Sequence, residues 1–493
     1  MKKSLYAFIL LAFNGSFAVA DNWMSRLPDG LYVSQVSIPG THDSATGDGF
    51  SGMGKLLGPS YARTQDASIA EQWASGIRAF DLRPCTTSDG YLNINHGIIA
   101  TSVRFDNALC QIRDSLIANP TEFVVIHIRH EEEGDEDGYD YASLLLEILG
   151  RADLKEYFAD FSRDLTVGGL RGKMLLTSRD AYADAPVGAF IENWSSNINW
   201  TSQTNGRLVG AGSGAAATAS LYMQDFYDSS ADGALEQKMA AVKELLAYTT
   251  SHVTELASSV LWVYNFTSAY CQTASVLGYK VSKSDGYREN ASYTNAAVIE
   301  YLQNTEAGPA GIIMMDYAGV DESDGYATRG QELTDTLISN NFKFITRVNE
   351  EMNAAFTEDI EALYTQLAEA REKLSADCPD VAADFEGRAS AIETAIDSLK
   401  ADLAGRYAAF SLFQYSEMDV SEVNSTIEQL LKEAAAAQAE HDEAVGISPI
   451  ALTADSEIRG VYSLGGEQLD NPPRGTVCVI RYADDTTRKV RIE

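Results

Sequence analysis

Between Leu31 and about Val348, short apolar runs alternate with helix-like segments, and this alternation limits the possible folds more than any other feature of the chain. Val33–Ile38, Ala79–Leu82, Leu92–Ile94, Phe123–Ile128, Met174–Thr177, Leu221–Gln224, Val260–Tyr264 and Ile312–Met315 read as strands. Ile69–Ser75, Phe105–Ala118, Tyr141–Leu149, Ala234–Ala257 and Leu333–Asn340 read as helices. Strands that are apolar throughout are covered on both faces, so the pattern predicts an α/β domain with a largely parallel sheet. About eight strands in roughly 320 residues suit a closed, irregular (β/α)8 barrel of the TIM type with insertions. A doubly wound open sheet is the alternative. No glycine-rich phosphate fingerprint follows the first strand, which counts against a dinucleotide fold.

Charge narrows the function classes. With 71 acidic and 37 basic side chains the formal net charge is −34, so the phosphate backbone of a nucleic acid would be repelled. An anionic membrane surface would be visited only transiently. Six histidines are present, and two of them, His42 and His96, end strand-like runs close to a glycine. In a parallel barrel the strand C-termini converge on one face. Two histidines facing each other there can act as base and acid in one displacement. Each then needs a carboxylate to fix its tautomer, and Asp43, Asp81 and Asp316 are the candidates. Arg83 supplies a fixed positive charge suited to a phosphate oxygen. Two readings compete. The histidines could be structural, or His42, His96, Asp43 and Asp81 could ligate a divalent ion, against which the nearby Arg83 argues. The acidic stretch Glu131–Asp137 reads as a solvated loop, with a calcium loop as the alternative.

The rest of the chain carries no comparable cluster. Residues 1–20 have the form of a secretory signal, with Lys2 and Lys3 before a short apolar core and Ala18-Val19-Ala20 before Asp21. Five cysteines without a C-x-x-C spacing exclude the common zinc and redox motifs; Cys85 and Cys110 are the nearest pair, and five free thiols is the simpler reading. From Asn349 to about Val445, apolar residues recur at steps of three, four and seven in three segments, which predicts a helical bundle. His441, amid acidic neighbours, reads as a solvated helix residue. Residues 446–493 return to alternating strands, with Ile458–Leu464, Thr476–Tyr482 and Arg488–Ile492 forming a small β module. That ending resembles the small C-terminal β modules of secreted Bacteroidetes proteins, which implies export processing or surface display.

The stretches G-T-H-D-S (Gly40–Ser44), G-I-R-A-F-D-L-R (Gly76–Arg83) and I-N-H-G (Ile94–Gly97) together resemble the X domain of bacterial phosphatidylinositol-specific phospholipase C. The resemblance continues through Thr121–Glu131, Leu170–Arg179, Met223–Tyr227 and Gly311–Tyr317 in the same order, covering residues 21–348 as the catalytic barrel. It implies a secreted enzyme that cleaves phosphatidylinositol to diacylglycerol and inositol 1,2-cyclic phosphate. By that resemblance His42 is the general base supported by Asp316, and His96 the general acid assisted by Asp43. Arg83 holds the phosphate with Asp81 positioning it, and Arg129, Arg179, Asp225 and Tyr227 bind the inositol. Calcium-using members carry an asparagine after the first histidine, where this chain has Asp43, so no metal or other cofactor is expected. The implied partner is a phosphatidylinositol-containing membrane or a glycolipid of the glycosyl-phosphatidylinositol type. Extra sequence at Asn197–Thr218 and Tyr270–Ala296 departs from the compact bacterial pattern, and Trp194, Trp200, Tyr270 and Tyr293 near it are candidates either for lipid contact or for ordinary packing. A metal-dependent glycerophosphodiester phosphodiesterase and a non-catalytic surface or glycan-binding protein are the alternative functions.

Overall fold

A computed structural model describes residues 22–195, 206–251, 261–276, 278–412, 420–450 and 458–492. The signal-like segment 1–20, the cleavage position at Asp21 and Trp200 lie outside the described residues. The chain divides into two compact units, Met1–Arg347 and Val348–Glu493.

The strands of the first unit, in chain order, are β1 (Ile38–Thr41), β2 (Ala79–Leu82), β3 (Pro84–Thr86), β4 (Leu92–His96), β5 (Ile99–Arg104), β6 (Val124–Ile128) and β7 (Met174–Ser178). They continue with β8 (Ala189–Glu192), β9 (Gly206–Gly210), β10 (Thr218–Gln224), β11 (Trp262–Phe266), β12 (Thr273–Val276), β13 (Tyr279–Ser282) and β14 (Ile312–Met315). Nine of them close into a barrel in the order β1-β14-β11-β10-β9-β8-β7-β6-β2. Neighbours are parallel except at β9, which runs antiparallel to both β8 and β10. The irregular barrel expected from the alternation is therefore present, with one reversed strand added.

Three strand assignments change. The predicted first strand, Val33–Ile38, is a 3-10 turn at Val33–Gln35, and the strand begins at Ile38 and runs through Pro39. Proline ends a strand only where its missing N–H is needed; the Pro39 carbonyl accepts a hydrogen bond from Arg78 N, just ahead of β2. Leu92–His96 is not a barrel stave but the middle of a three-stranded antiparallel sheet, β3-β4-β5. Strands β8 and β9 had no reading at all, because a half-exposed sequence such as G-R-L-V-G lacks a continuous apolar run. The predicted helix Ala234–Ala257 is described as Ala234–Ser251, and its remainder lies outside the described residues.

Alternation along each stave separates packing from chemistry. Phe80 and Leu82 of β2, and Val124, Ile126 and Ile128 of β6, join the layer between barrel and helices with Leu109, Ile112 and Leu145. Asp81 and His127, which alternate with them, are fully buried and are register partners across β2 and β6. The covering helices start where side chains cap them. Ser68 and Glu71 form a reciprocal capping box at Ile69–Ala74, and Asp140 accepts from Ser143 N at 2.8 Å at the start of Tyr141–Leu149.

In the second unit three helices share one core. The segments expected as Leu333–Asn340 and a separate bundle helix form one continuous helix, Gly330–Asp377. Its residues Met352, Phe356, Ile360 and Leu363 pack with Ile392 and Ile396 of Ala382–Ala408 and with Ile427 and Leu430 of Val420–Ala444. A four-stranded sheet follows, made of β15 (Ser448–Ile450), β16 (Ile458–Tyr462), β17 (Val477–Tyr482) and β18 (Thr487–Ile492) in the order β15-β18-β17-β16. Buried Arg491 ties this sheet to the helix ends, donating from Nε to Asp442 at 2.8 Å and pairing with Asp380. All five cysteines are free thiols. Among the described residues no helix is long and apolar enough to cross a membrane.

Closure at β7–β8 depends on Gly188. Its φ of +73° favours glycine, and a Cβ there would stand 2.0 Å from the Leu176 carbonyl oxygen. Gly188→Ala is expected to cost at least about 2 kcal/mol from backbone conformation and clash together, seen as a fall in the thermal unfolding midpoint.

Candidate active site

Six side chains occupy the position immediately after a barrel strand: His42 after β1, Arg83 after β2, Arg129 after β6, Arg179 after β7, Asp225 after β10 and Asp316 after β14. Parallel staves bring these positions to one end of the barrel. A cavity of about 780 Å³ opens there, lined by His42, Arg83, His96, Arg129, Arg179, Asp225 and Tyr227 among others. Asp43, Asp81 and Asp316 are buried beside them. All ten residues singled out in the sequence thus come together at this mouth.

His42 is gripped from both sides. Nδ1 is hydrogen-bonded to Asp316 Oδ1 at 2.8 Å, and Nε2 lies 3.1 Å from Asp43 Oδ2. The second contact adds His42 to the expected division of carboxylates, in which Asp43 served His96. Asp43 has a left-handed φ of 45°, which turns its side chain back toward its own neighbour instead of away from it. Asp43 Oδ2 also stands 3.7 Å from His96 Nδ1, but that nitrogen donates to the Ala62 carbonyl at 2.8 Å. A backbone oxygen therefore fixes the His96 tautomer and directs Nε2 to the Tyr287 hydroxyl at 3.3 Å. The two imidazole rings are 6.4 Å apart, with Tyr287 about equally far from both, at 6.1 and 5.8 Å.

Arg83 joins the carboxylates. Its Nε stands 3.0 Å from Asp43 Oδ1, and its Nη2 donates to Asp81 Oδ2 at 2.9 Å. Burial would weaken the guanidinium, but the flanking Asp43 and Asp81 outweigh it and hold Arg83 charged well beyond its ordinary range. Burial likewise pushes Asp81 upward, yet Arg83 and the nearby histidines hold it below the usual carboxylate range. Asp43 is raised to about 6, chiefly by burial, with Arg83 opposing. Burial also raises Asp316 well above the usual range, reinforced by Asp43, and lowers His42 well below its own. Of the carboxylates beside His42, Asp43 is thus the one that titrates at moderately acid pH, 3.1 Å from His42 Nε2. His42, Asp43 and Asp81 could together offer three ligands to a cation, but the guanidinium of Arg83 already pairs with both carboxylates.

The opposite wall holds the other predicted binding residues. Arg179 stacks on Trp194 with 3.6 Å from guanidinium carbon to ring centre, and its Nη1 is 3.5 Å from Asp225 Oδ2. Trp194 Nε1 donates to that same Asp225 oxygen at 2.9 Å. Arg129 is more open and lies 3.7 Å from Glu131. Tyr227, 43% exposed, stands at the rim. Glu131 is not part of a solvated loop: it is buried and accepts from Gly97 N at 2.9 Å, beside His96. Of the candidate lipid-contact aromatics, Trp194 and Tyr270 line the cavity, whereas Tyr293 is exposed on a helix outside it. Two further cavity-end residues went unread. His127 interrupts the apolar run V-V-I-H-I at an inward position, a signal that alternation alone could have flagged. Tyr287 comes from the insertion, where nothing in the sequence marks it.

The model of the family Phosphatidylinositol-specific phospholipase C, X domain, matches residues 51–180. Residues 51–180 of the barrel thus carry an X-domain match. That match contains Asp81, Arg83, His96, Arg129 and Arg179; His42, Asp43 and Asp316 lie outside it and reach the same cavity through β1 and β14. The chain is homologous to bacterial 1-phosphatidylinositol phosphodiesterases. It is 24% identical over 308 residues to that of Staphylococcus aureus (strain Newman), covering 61% of this chain and 88% of the relative. It is 33% identical over 165 residues to that of Listeria monocytogenes, covering 32% and 48%. The structure of a mutant Staphylococcus aureus phosphatidylinositol-specific phospholipase C shares the fold, with a TM-score of 0.51 at 23% identity over 64% of this chain and 97% of that one.

Arg83→Met would strand two buried carboxylates and is expected to lower stability by roughly 3–5 kcal/mol in denaturant unfolding. Adding Asp81→Asn to the same chain should return part of that loss.

Proposed function

We propose that this protein is a phosphatidylinositol-cleaving phospholipase C working by paired histidines without a metal ion. The observation that carries the reading is the pair of imidazoles 6.4 Å apart, each fixed at Nδ1 and each presenting Nε2, with the charged Arg83 at the same cavity. His42 Nε2 takes the proton of the inositol 2-hydroxyl. That oxygen forms a bond to phosphorus within the same molecule, an arrangement with a high effective concentration. The bond from phosphorus to the diacylglycerol oxygen breaks, and His96, entering the step as the doubly protonated imidazolium with Nδ1–H held on the Ala62 carbonyl, gives that oxygen the proton from Nε2. Arg83 neutralises charge growing on the non-bridging oxygens. The products are diacylglycerol and inositol 1,2-cyclic phosphate. Arg179, Asp225, Arg129 and Tyr227 hold the ring hydroxyls, and Trp194 backs Arg179.

The metal-dependent alternative rests on the His42, Asp43 and Asp81 cluster. Arg83 supports the metal-independent reading, since a cation placed among those ligands would face a guanidinium 3.0 Å from one carboxylate. The mouth also supports a lipid substrate. Met53, Leu56, Ile98 and Tyr279 are 74–76% exposed, and their neighbours Leu57, Ile99 and Lys280 line the cavity. Burying each in a bilayer surface would favour docking by about 1–3 kcal/mol. We further propose export through residues 1–20, which places the enzyme outside the cytoplasm; the β module at 446–493 is compatible with display.

Release of cyclic inositol phosphate from phosphatidylinositol vesicles should persist in excess chelator; loss of activity there would move the assignment to the metal-dependent class. His42→Ala and His96→Ala should each lower kcat by at least about a hundredfold, and unchanged cleavage in either would remove the mechanism. Because the ionised Asp43 carboxylate 3.1 Å from His42 Nε2 favours the base taking up a proton, and burial raises Asp43 to about 6, kcat/KM should rise with pH through that region. In Asp43→Asn this limb should disappear from the pH profile. Leu56→Ser with Ile98→Ser should reduce the rate on vesicles far more than on a monomeric short-chain substrate.

A further inference from the structure

Arg179, which the proposed function assigns to inositol binding, is held by a residue that no reading of the site has used. Its Nε donates to Nε2 of His127 at 2.8 Å. His127 is fully buried and faces into the barrel from β6, in register with Asp81 on β2 and Thr177 on β7. Because a guanidinium can only donate, the imidazole must accept at Nε2 and carry its hydrogen on Nδ1, which points at Thr177 Oγ1 3.4 Å away. Thr177 Oγ1 lies 2.9 Å from the Tyr264 hydroxyl, and the His127 ring packs 5.1 Å from Trp194 and 5.2 Å from Tyr264. The imidazole therefore has one orientation and one tautomer.

The charged and titratable groups around His127 are Arg179 from β7, Asp81 and Arg83 from β2, Arg129 from its own strand end, and Tyr264 from β11. Burial, then Arg179, holds its proton affinity well below the ordinary imidazole range, against Asp81. Neutrality has a consequence for Arg179. A carboxylate at this position would fix the guanidinium equally well but would cancel its charge. A neutral acceptor fixes it and leaves the charge for the ligand. With Nε on His127, one face on Trp194 and Nη1 near Asp225, the side chain is oriented on three sides, and Nη2 has no partner among the described residues.

We propose that His127 is a positioning residue that sets inositol affinity by holding Arg179 in its ligand-facing orientation through a neutral acceptor nitrogen. The proposal rests on the functional reading above for the identity of the ligand, and its tests separate the two.

With a monomeric short-chain phosphatidylinositol, His127→Leu should raise KM about tenfold while kcat stays within about threefold, as expected when a binding group loses orientation but the chemistry is intact. His127→Gln, whose Oε1 can accept from Arg179, should recover KM to within about threefold of the parent. Nitrogen-15 spectra of the parent should show His127 with hydrogen on Nδ1 only at neutral pH. In Arg179→Met its titration should move upward, because the largest neighbouring positive charge is gone. Binding of myo-inositol to the parent and to His127→Leu gives an affinity ratio that needs no turnover. Equal KM in parent and His127→Leu, a fall confined to kcat, or hydrogen on Nε2 would each overturn the proposal. A parent that binds inositol with the predicted ratio but releases no cyclic phosphate would sink the functional reading and leave the role of His127 standing. Should His127→Leu fail to fold, the Gln variant and the parent spectra still decide it.

Discussion

Two carboxylates buried at the end of a barrel can both stay ionised only if a cation is buried with them, and Arg83 is that cation. Its guanidinium lies against Asp43 and Asp81 at once, and everything around the mouth adjusts to that charge. Asp81 keeps its charge because Arg83 sits on it, while Asp43, less well compensated, is the carboxylate that titrates. His42 is hard to protonate because it is buried beside the same arginine. One ion pair thus separates the roles of a stable anion, a titrating acid and a free base within a few ångströms, as expected where neighbouring groups are pushed to different proton affinities.

The barrel supports this with a simple rule of placement. Six of the nine staves each deliver one polar side chain immediately after their C-terminal end. Single residues after six strands therefore converge although they span His42 to Asp316 in sequence. That rule also explains what could be read from the chain alone. Runs such as V-V-I-H-I and I-I-M-M are continuous because both faces are covered, so those staves and the polar residues following them were legible. The reversed strand β9 was not, because Arg207 faces solvent and breaks the run. Nor was the partner of Asp43, which depends on a single left-handed backbone angle with no compositional mark. The Tyr287 contact to His96 joins positions 191 residues apart and is set by where an inserted helix packs.

The second unit shows the same limits with different chemistry. Helical periodicity placed its three core-forming segments, since Met352, Phe356, Ile360 and Leu363 recur at the spacing of one helix face. The junction of bundle and sheet was illegible, because it rests on Arg491, four residues into a polar-looking strand, meeting Asp442 and Asp380 from two helix ends. Buried, multiply bonded arginines contribute mainly by fixing how elements dock. Here that makes helices and sheet one compact body where sequence chemistry alone drew a boundary.

Arg83 and Arg179 face one cavity with the same side chain and opposite supports. Arg83 is held by two carboxylates, so its net field is small until negative charge develops on a bound phosphate and competes for its remaining donors. Arg179 is held by a neutral imidazole and an indole face, with Asp225 more distant at 3.5 Å, so its field is present before any reaction begins. A group whose interaction strengthens only as charge develops lowers a barrier, whereas one that acts equally on the resting ligand lowers only KM. Under the proposed function, the acceptor chosen for each guanidinium, charged or neutral, suits Arg83 to the chemical step and Arg179 to holding the ring.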